Sequence, residues 1–207
     1  MKKEEENELF PPHIETYQKL GEYVYVSDLH QGIERLENIR LATFLAEKTK
    51  EIVFILPIIQ PSIKNSKELR ERYLPVGVKE NKNPDFYFRG RFVDGKSMTN
   101  ITFTDDEELF KRKIQSRIKE AFTQADDVFI EIPTMFFKSW ILSSVYGKLN
   151  SSKHSHIVYI KYGDELIKIK KPDKYSLSGG QCRFLNLCEL WQLRQSFQHI
   201  HHIRILL

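Results

Sequence analysis

Apolar residues along the chain follow two spacings, one typical of strands and one typical of helices. Short apolar runs predict strands at 23–26, 52–59, 86–88, 91–93, 128–132, 156–162 and 166–169. Apolar residues three and four positions apart predict helices at 32–48, 107–125 and 137–149. From the first helix onward the order is α-β-β-β-α-β-α-β-β. This order predicts an α/β fold with a mixed central sheet flanked by helices.

The sequence divides into three segments by composition. Residues 1–22 are acidic, contain Pro11-Pro12 and predict a flexible lead-in. Residues 23–172 carry the periodic elements and predict one domain. After Lys170-Lys171-Pro172 the pattern changes, and residues 173–207 predict an appendage with a helical segment.

Composition narrows the class of protein. Of 207 residues, 41% are hydrophobic, which is typical of a globular chain. No apolar run approaches the roughly 20 residues of a membrane span, and the N-terminus lacks the apolar core of a signal peptide. The two cysteines indicate no disulfide framework, which fits either a reducing compartment or a chain that needs no disulfides, and we expect a cytoplasmic site of action. The net charge of +4 permits a nucleic-acid partner without requiring one.

The residues with the strongest chemical signal lie on the predicted hairpin around Arg89-Gly90. Asp85 precedes its first strand, and Asp94-Gly95-Lys96 ends its second. Antiparallel pairing places opposite residues about 5 Å apart, so both carboxylates can reach one hard divalent cation. Lys96 shares a strand face with Asp94 and can orient the attacking water, while the Gly95 carbonyl is a further candidate ligand. Pro-Asp and Asp-Gly are also ordinary turn dipeptides.

A third carboxylate is predicted on the first helix. Glu37 falls on the same helical face as Leu41, Phe44 and Leu45, which we expect to be buried. A buried carboxylate needs a partner, and a metal ion is one. The alternative is that Glu37 lies at the edge of this face and reaches water.

Asp85 with Asp94-Gly95-Lys96 resembles the signature of the PD-(D/E)XK nuclease superfamily, which has the restriction-endonuclease-like fold. The similarity extends over about residues 23–172, and the stretches 37–42, 83–85 and 124–128 resemble C-terminal nuclease toxin domains of contact-dependent growth inhibition and related polymorphic toxins. The resemblance implies a metal-dependent endonuclease acting on DNA or tRNA, with Mg²⁺, Mn²⁺ or Zn²⁺ at Asp85, Asp94 and Glu37. It also implies a cognate immunity protein as a partner, and a contact from Gln124 to the scissile phosphate or to an active-site water. Gln124 can equally be an exposed residue at a helix end.

Basic side chains near this hairpin predict a surface for a polyanion. The predicted nucleic-acid-binding residues are Arg89, Arg91, Lys111, Lys113, Arg117 and Lys119. The alternative for the four on the helix is an ordinary solvated face.

Two other functions compete with the metal-dependent nuclease. In the first, His30 is the general base of a metal-independent ribonuclease, with Lys96 as its cationic partner. In the second, the chain binds nucleic acid or a protein partner without cutting. The oligomeric state, the identity of the metal and the choice between DNA and RNA do not follow from the residues.

Overall fold

A computed structural model describes residues 11–102 and 104–171, which belong to a unit that ends at Lys171. Within the described residues the strands are β1 (Tyr17–Lys19), β2 (Val24–Ser27), β3 (Val53–Ile55), β4 (Phe86–Phe88), β5 (Arg91–Ser97), β6 (Asp127–Ile132), β7 (Ile157–Tyr162) and β8 (Glu165–Lys170). The helices are α1 (Arg35–Thr49), α2 (Ser66–Tyr73), α3 (Glu107–Gln124) and α4 (Lys138–Ser151). A 3₁₀ turn over Ile14–Thr16 precedes β1.

The strands form one mixed sheet whose spatial order is the order along the chain. The pairs β2–β3, β5–β6 and β6–β7 are parallel. Each parallel pair is joined by a helix, α1, α3 or α4 respectively, because parallel neighbours need a crossover connection. The remaining pairs are antiparallel, and a two-residue turn with positive φ at Arg89 and Gly90 joins β4 to β5.

Helices cover the two faces of the sheet and form separate apolar cores. The buried face of α1, including Leu41 and Leu45, packs on one face against Val53, Phe86 and Val93. The buried stripes of α3 and α4 pack together with alternate residues of β6 and β7. Because successive side chains of a strand point to opposite faces, Phe129 of β6 joins the first core while Val128 and Ile130 join the second. Every residue of β6 is therefore buried.

The mixed α/β architecture predicted from the sequence is confirmed, with a sheet flanked by helices. The lead-in prediction for residues 1–22 is wrong in part, because Tyr17–Lys19 pair antiparallel with β2 and extend the sheet. The strand predicted at 52–59 is shorter and covers Val53–Ile55. The appendage predicted at 173–207 lies outside the described residues. None of the described helices is long and apolar enough to cross a membrane.

Candidate active site

The β4–β5 hairpin brings the predicted metal-binding residues together. Its register pairs Phe86 with Val93, so the next position along both strands places Asp85 opposite Asp94. The Gly95 amide donates a hydrogen bond to Asp85 Oδ2 at 2.7 Å. A cavity of about 430 Å³ opens at this point. Its lining contains Asp85, Asp94, Gly95, Lys96, Glu37 and Gln124, which are the predicted catalytic and metal-binding residues.

Gly95 is required by close packing between the two strands. A Cβ atom at this position would lie 2.9 Å from Phe86 Cε2 and 3.4 Å from Asp85 Oδ2. The first distance is too short for a non-bonded carbon contact, and the Phe86 ring is fully buried and cannot move away freely. The glycine therefore allows the Asp85 carboxylate to approach the β5 backbone.

Asp94 and Lys96 form a largely buried ion pair on β5. Asp94 is 1% exposed, and its Oδ2 lies 2.8 Å from Lys96 Nζ. Lys96 is therefore the charge partner of this buried oxygen, at a distance typical of a contact between an ammonium group and a carboxylate. Glu120 of α3 lies further away, with its Oε1 3.9 Å from Lys96 Nζ.

Burial and neighbouring charges shift the pKa values in the cavity. Burial, followed by the charge of Asp94, raises the pKa of Asp85 from 3.8 to about 8. Burial also raises the pKa of Asp94, although Lys96 acts in the opposite direction. Burial alone would lower the pKa of Lys96, but the charges of Asp94 and Asp85 outweigh it and raise that pKa. When both carboxylates are ionised, they carry one negative charge more than Lys96 balances, and a bound cation would supply the missing positive charge.

Asn38 is a site residue that the sequence patterns did not single out. It is buried on α1, and its amide Nδ2 donates to Asp85 Oδ1 at 2.9 Å. The same Nδ2 lies 3.3 Å from Nε2 of the fully buried His30, whose Nδ1 donates to the Leu56 carbonyl at 2.5 Å. This chain of bonds fixes the position of Asp85. The sequence does contain a signal for this residue, because Asn38 lies three and four positions before Leu41 and Ala42, the helical spacing of a shared buried face.

The prediction that Glu37 lies on a buried face is wrong. Glu37 is exposed, whereas its neighbour Asn38 is buried. One residue along a helix is a rotation of about 100°, which carries Glu37 out of the apolar face to the edge of the cavity. Glu34 and Glu120 also line this cavity, so acidic side chains surround a single lysine, Lys96.

His30 does not have the geometry that a general base needs. It is inaccessible to solvent, and both of its ring nitrogens are engaged within the protein. Burial lowers its pKa, so the neutral ring donates through Nδ1 and accepts at Nε2. These contacts make His30 a support for Asn38.

Several of the predicted nucleic-acid-binding cations have carboxylate partners instead. Arg89 forms a bidentate pair with Glu51, and Arg91 forms one with the buried Asp127. Lys111 pairs with Glu107 and Glu108, and Arg117 pairs with Glu120. Lys113 and Lys119 have no such partner within the described residues. The surface predicted for a polyanion is therefore less basic than its composition indicates.

The donors in the cavity fit a hard divalent cation. In the described parts of the chain no three histidine, cysteine, aspartate or glutamate side chains are grouped as a complete metal site. Two carboxylates, from Asp85 and Asp94, meet there beside the ammonium group of Lys96. Oxygen donors of this kind suit Mg²⁺ or Mn²⁺, which retain water ligands when few protein ligands are present. Ligation by the Gly95 carbonyl and by Glu37 stays a prediction.

Comparison with known proteins found no similar protein. No protein-family model matches the chain, no curated protein matches it in sequence, and no solved structure matches its fold at a significant level.

Proposed function

We propose that this protein is a metal-dependent nuclease that hydrolyses phosphodiester bonds. The observation that carries the proposal is the meeting of Asp85, Asp94 and Lys96 in one cavity, where two carboxylates lie beside one ammonium group. Two carboxylates beside a lysine in a water-accessible cavity provide cation binding and a positive donor for phosphate in the same place.

The surrounding elements support the proposal. The succession α1–β3–β4–β5–α3–β6 forms an antiparallel meander followed by a parallel strand, with the acidic pair on its central hairpin. This arrangement agrees with the restriction-endonuclease-like core that the Asp85 and Asp94-Gly95-Lys96 pattern implies. The toxin context, the cytoplasmic site of action and the immunity partner stay predictions.

Five of the side chains that line the cavity have a role in this reaction. Asp85 and Asp94 would hold the cation, and Asn38 keeps the Asp85 carboxylate in place through its hydrogen bond. Lys96, whose pKa is raised by the two aspartates, stays protonated and can donate to the attacking water or to a phosphate oxygen. Gln124, which also lines the cavity, can donate to the same phosphate.

The reaction is a hydrolysis that balances without a further reactant. Water oxygen bonds to phosphorus, the bond from phosphorus to one sugar oxygen breaks, and that oxygen takes a proton as the water loses one. A divalent cation bound at Asp85 and Asp94 supplies positive charge to the phosphate and lowers the pKa of water. Lys96 contributes further positive charge where the phosphate becomes more negative.

The test is cleavage of plasmid DNA and of total tRNA with Mg²⁺, Mn²⁺, Zn²⁺ or EDTA. Asp94→Ala and Lys96→Ala are compared with Asp164→Ala and Lys67→Ala, which remove an exposed aspartate and an exposed lysine that do not line the cavity. We expect metal-dependent cutting that both cavity variants lose and both control variants keep. The preferred substrate identifies DNA or RNA as the target.

Two other results would contradict the proposal in different ways. Cutting that survives EDTA and Asp94→Ala would support a metal-independent ribonuclease. Binding of nucleic acid without cutting under any of these conditions would support a binding module.

A further inference from the structure

A second cavity lies on the other side of the end of α3. Its volume is about 530 Å³. The basic and imidazole side chains that line it are Lys79, Arg91, Lys119, Lys148, His154 and His156. Among the described residues, Asp126 is the only acidic one in its lining. This composition is opposite to that of the first cavity, where carboxylates surround Lys96.

The positive charge of the second cavity is only partly neutralised within the protein. Arg91 is paired with Asp127, and Lys79 donates to the carbonyls of Phe122 and Ala125 at the end of α3. Lys119 and Lys148 have no carboxylate partner in the part of the chain that the structure describes. Two ammonium groups without an ion-pair partner therefore line a concave surface that holds a single described carboxylate, that of Asp126.

The walls of the cavity are held rigidly. The rings of Phe122 and His156 stack with centroids 3.8 Å apart and planes tilted by 12°. Nδ1 of His156 donates to the Asp126 carbonyl, and Arg91 also donates to the Ser155 carbonyl at 3.0 Å. These contacts tie α3, β5 and the segment before β7 together, so Arg91 and His156 keep a defined arrangement before any ligand binds.

The last two turns of α3 separate the two cavities. Glu120 and Gln124 line the first cavity, whereas Lys119, Phe122 and Thr123 line the second. A helix with its side chains is about 10 Å across. Successive phosphates of one nucleic-acid strand are spaced roughly 3.4 Å apart along the axis of a duplex. A strand that crosses the end of α3 would thus place phosphates about three nucleotides apart in the two cavities.

We infer that the second cavity binds a backbone phosphate of the same nucleic acid whose scissile phosphate enters the first cavity. This inference rests on the proposed nuclease function. Lys119 and Lys148 supply the charge that holds the phosphate, and the site reads no base because phosphate contacts are independent of sequence. A free phosphate monoester has similar chemistry, so the experiment must separate it from the backbone of a bound strand.

The test is equilibrium binding of a fluorescein-labelled DNA duplex and of a labelled RNA stem-loop to the full chain in EDTA, where cutting is suppressed. The double variant Lys119→Gln/Lys148→Gln is compared with Lys64→Gln/Lys67→Gln, which removes the same charge from exposed positions outside both cavities. We expect binding at least about fivefold weaker for the first variant, with a salt slope lower by about 1 to 2. The control variant should bind within about twofold of wild type.

Each other outcome overturns the inference. Equal binding by both double variants would show that the second cavity holds no phosphate. If wild type binds a nucleoside monophosphate, the double variant does not, and oligonucleotide binding is unchanged, the ligand is a free monoester.

The two experiments together distinguish a second cavity that binds no phosphate from a protein that is not a nuclease. If nucleic-acid binding depends on the second cavity but the protein never cuts, only the proposed nuclease function is contradicted. If the protein cuts nucleic acid but both double variants bind it equally well, only the phosphate-binding role of the second cavity is contradicted.

Discussion

Glu131 is expected to stabilise the folded protein far more than an ordinary surface glutamate. It is 6% exposed on β6 and accepts a bidentate hydrogen bond from Arg40 of α1. Lys161 of β7 donates to it as well, and Ser97 Oγ donates at 3.2 Å. The substitution Glu131→Gln keeps the shape of the side chain but leaves Arg40 and Lys161 without a negative partner.

The size of the stabilisation by Glu131 follows from the pKa of its carboxyl group. Burial alone raises this pKa, but the hydrogen bonds from Arg40 and Lys161 outweigh it and lower the value from 4.5 to about 2. That difference corresponds to about 3 kcal/mol of stability at neutral pH, and we expect roughly 2 to 3 because the Arg40 side chain is 47% exposed and screened by solvent. A lowered pKa gives stability that is complete above 4.5 and is lost as the pH falls through 2. At pH 3 the contribution should be only about 1 kcal/mol.

The assay is urea denaturation of wild type and Glu131→Gln at pH 7 and pH 3. The matched control is Glu165→Gln, which breaks an exposed pair with Lys138 and should cost less than about 1 kcal/mol at either pH. A loss at pH 7 no larger than that of the control would refute the reasoning. So would a loss for Glu131→Gln that does not shrink at pH 3.

Three further predictions concern the first cavity. Asp94→Asn should abolish metal-dependent cutting yet raise the melting temperature in EDTA by a few degrees, because burial already disfavours the Asp94 charge in the folded protein. Asn38→Ala should weaken Mn²⁺ binding about 10- to 100-fold in calorimetric titrations, since the Asp85 carboxylate loses a positioning hydrogen bond. Gly95→Ala should lower the free energy of unfolding by about 1 to 3 kcal/mol in urea, because the new Cβ meets the Phe86 ring.

Controls separate these effects from general damage. Asp164→Asn, at an exposed turn, should change neither cutting nor the melting temperature in EDTA. Gly21→Ala, where a new Cβ meets nothing within 4 Å, is the control for Gly95→Ala. Unchanged Mn²⁺ affinity in a folded Asn38→Ala variant would contradict the positioning role of Asn38.

Local sequence was sufficient to predict most of the strands and helices and the acidic pair, although it did not predict β1 or α2. Strands and helices follow from side-chain periodicity, which depends on residues within a few positions of one another. Asp85 and Asp94 lie nine positions apart around a tight Arg89-Gly90 turn, so the hairpin alone sets them opposite each other. The short spacing of Asp94 and Lys96 likewise places both on one strand face.

Tertiary packing decided which of the remaining polar residues enter the site. The rotation of α1 about its axis selected Asn38 over Glu37, and periodicity cannot resolve a difference of one residue at the edge of a stripe. The partners of Arg89 and Arg91, Glu51 and Asp127, are 38 and 36 residues away in the chain, so no local pattern identifies them. The sequence therefore predicts the position of a side chain that is set by neighbours within one strand, helix or hairpin. The ion pairs and the burial of single polar side chains depend instead on which strands and helices pack together.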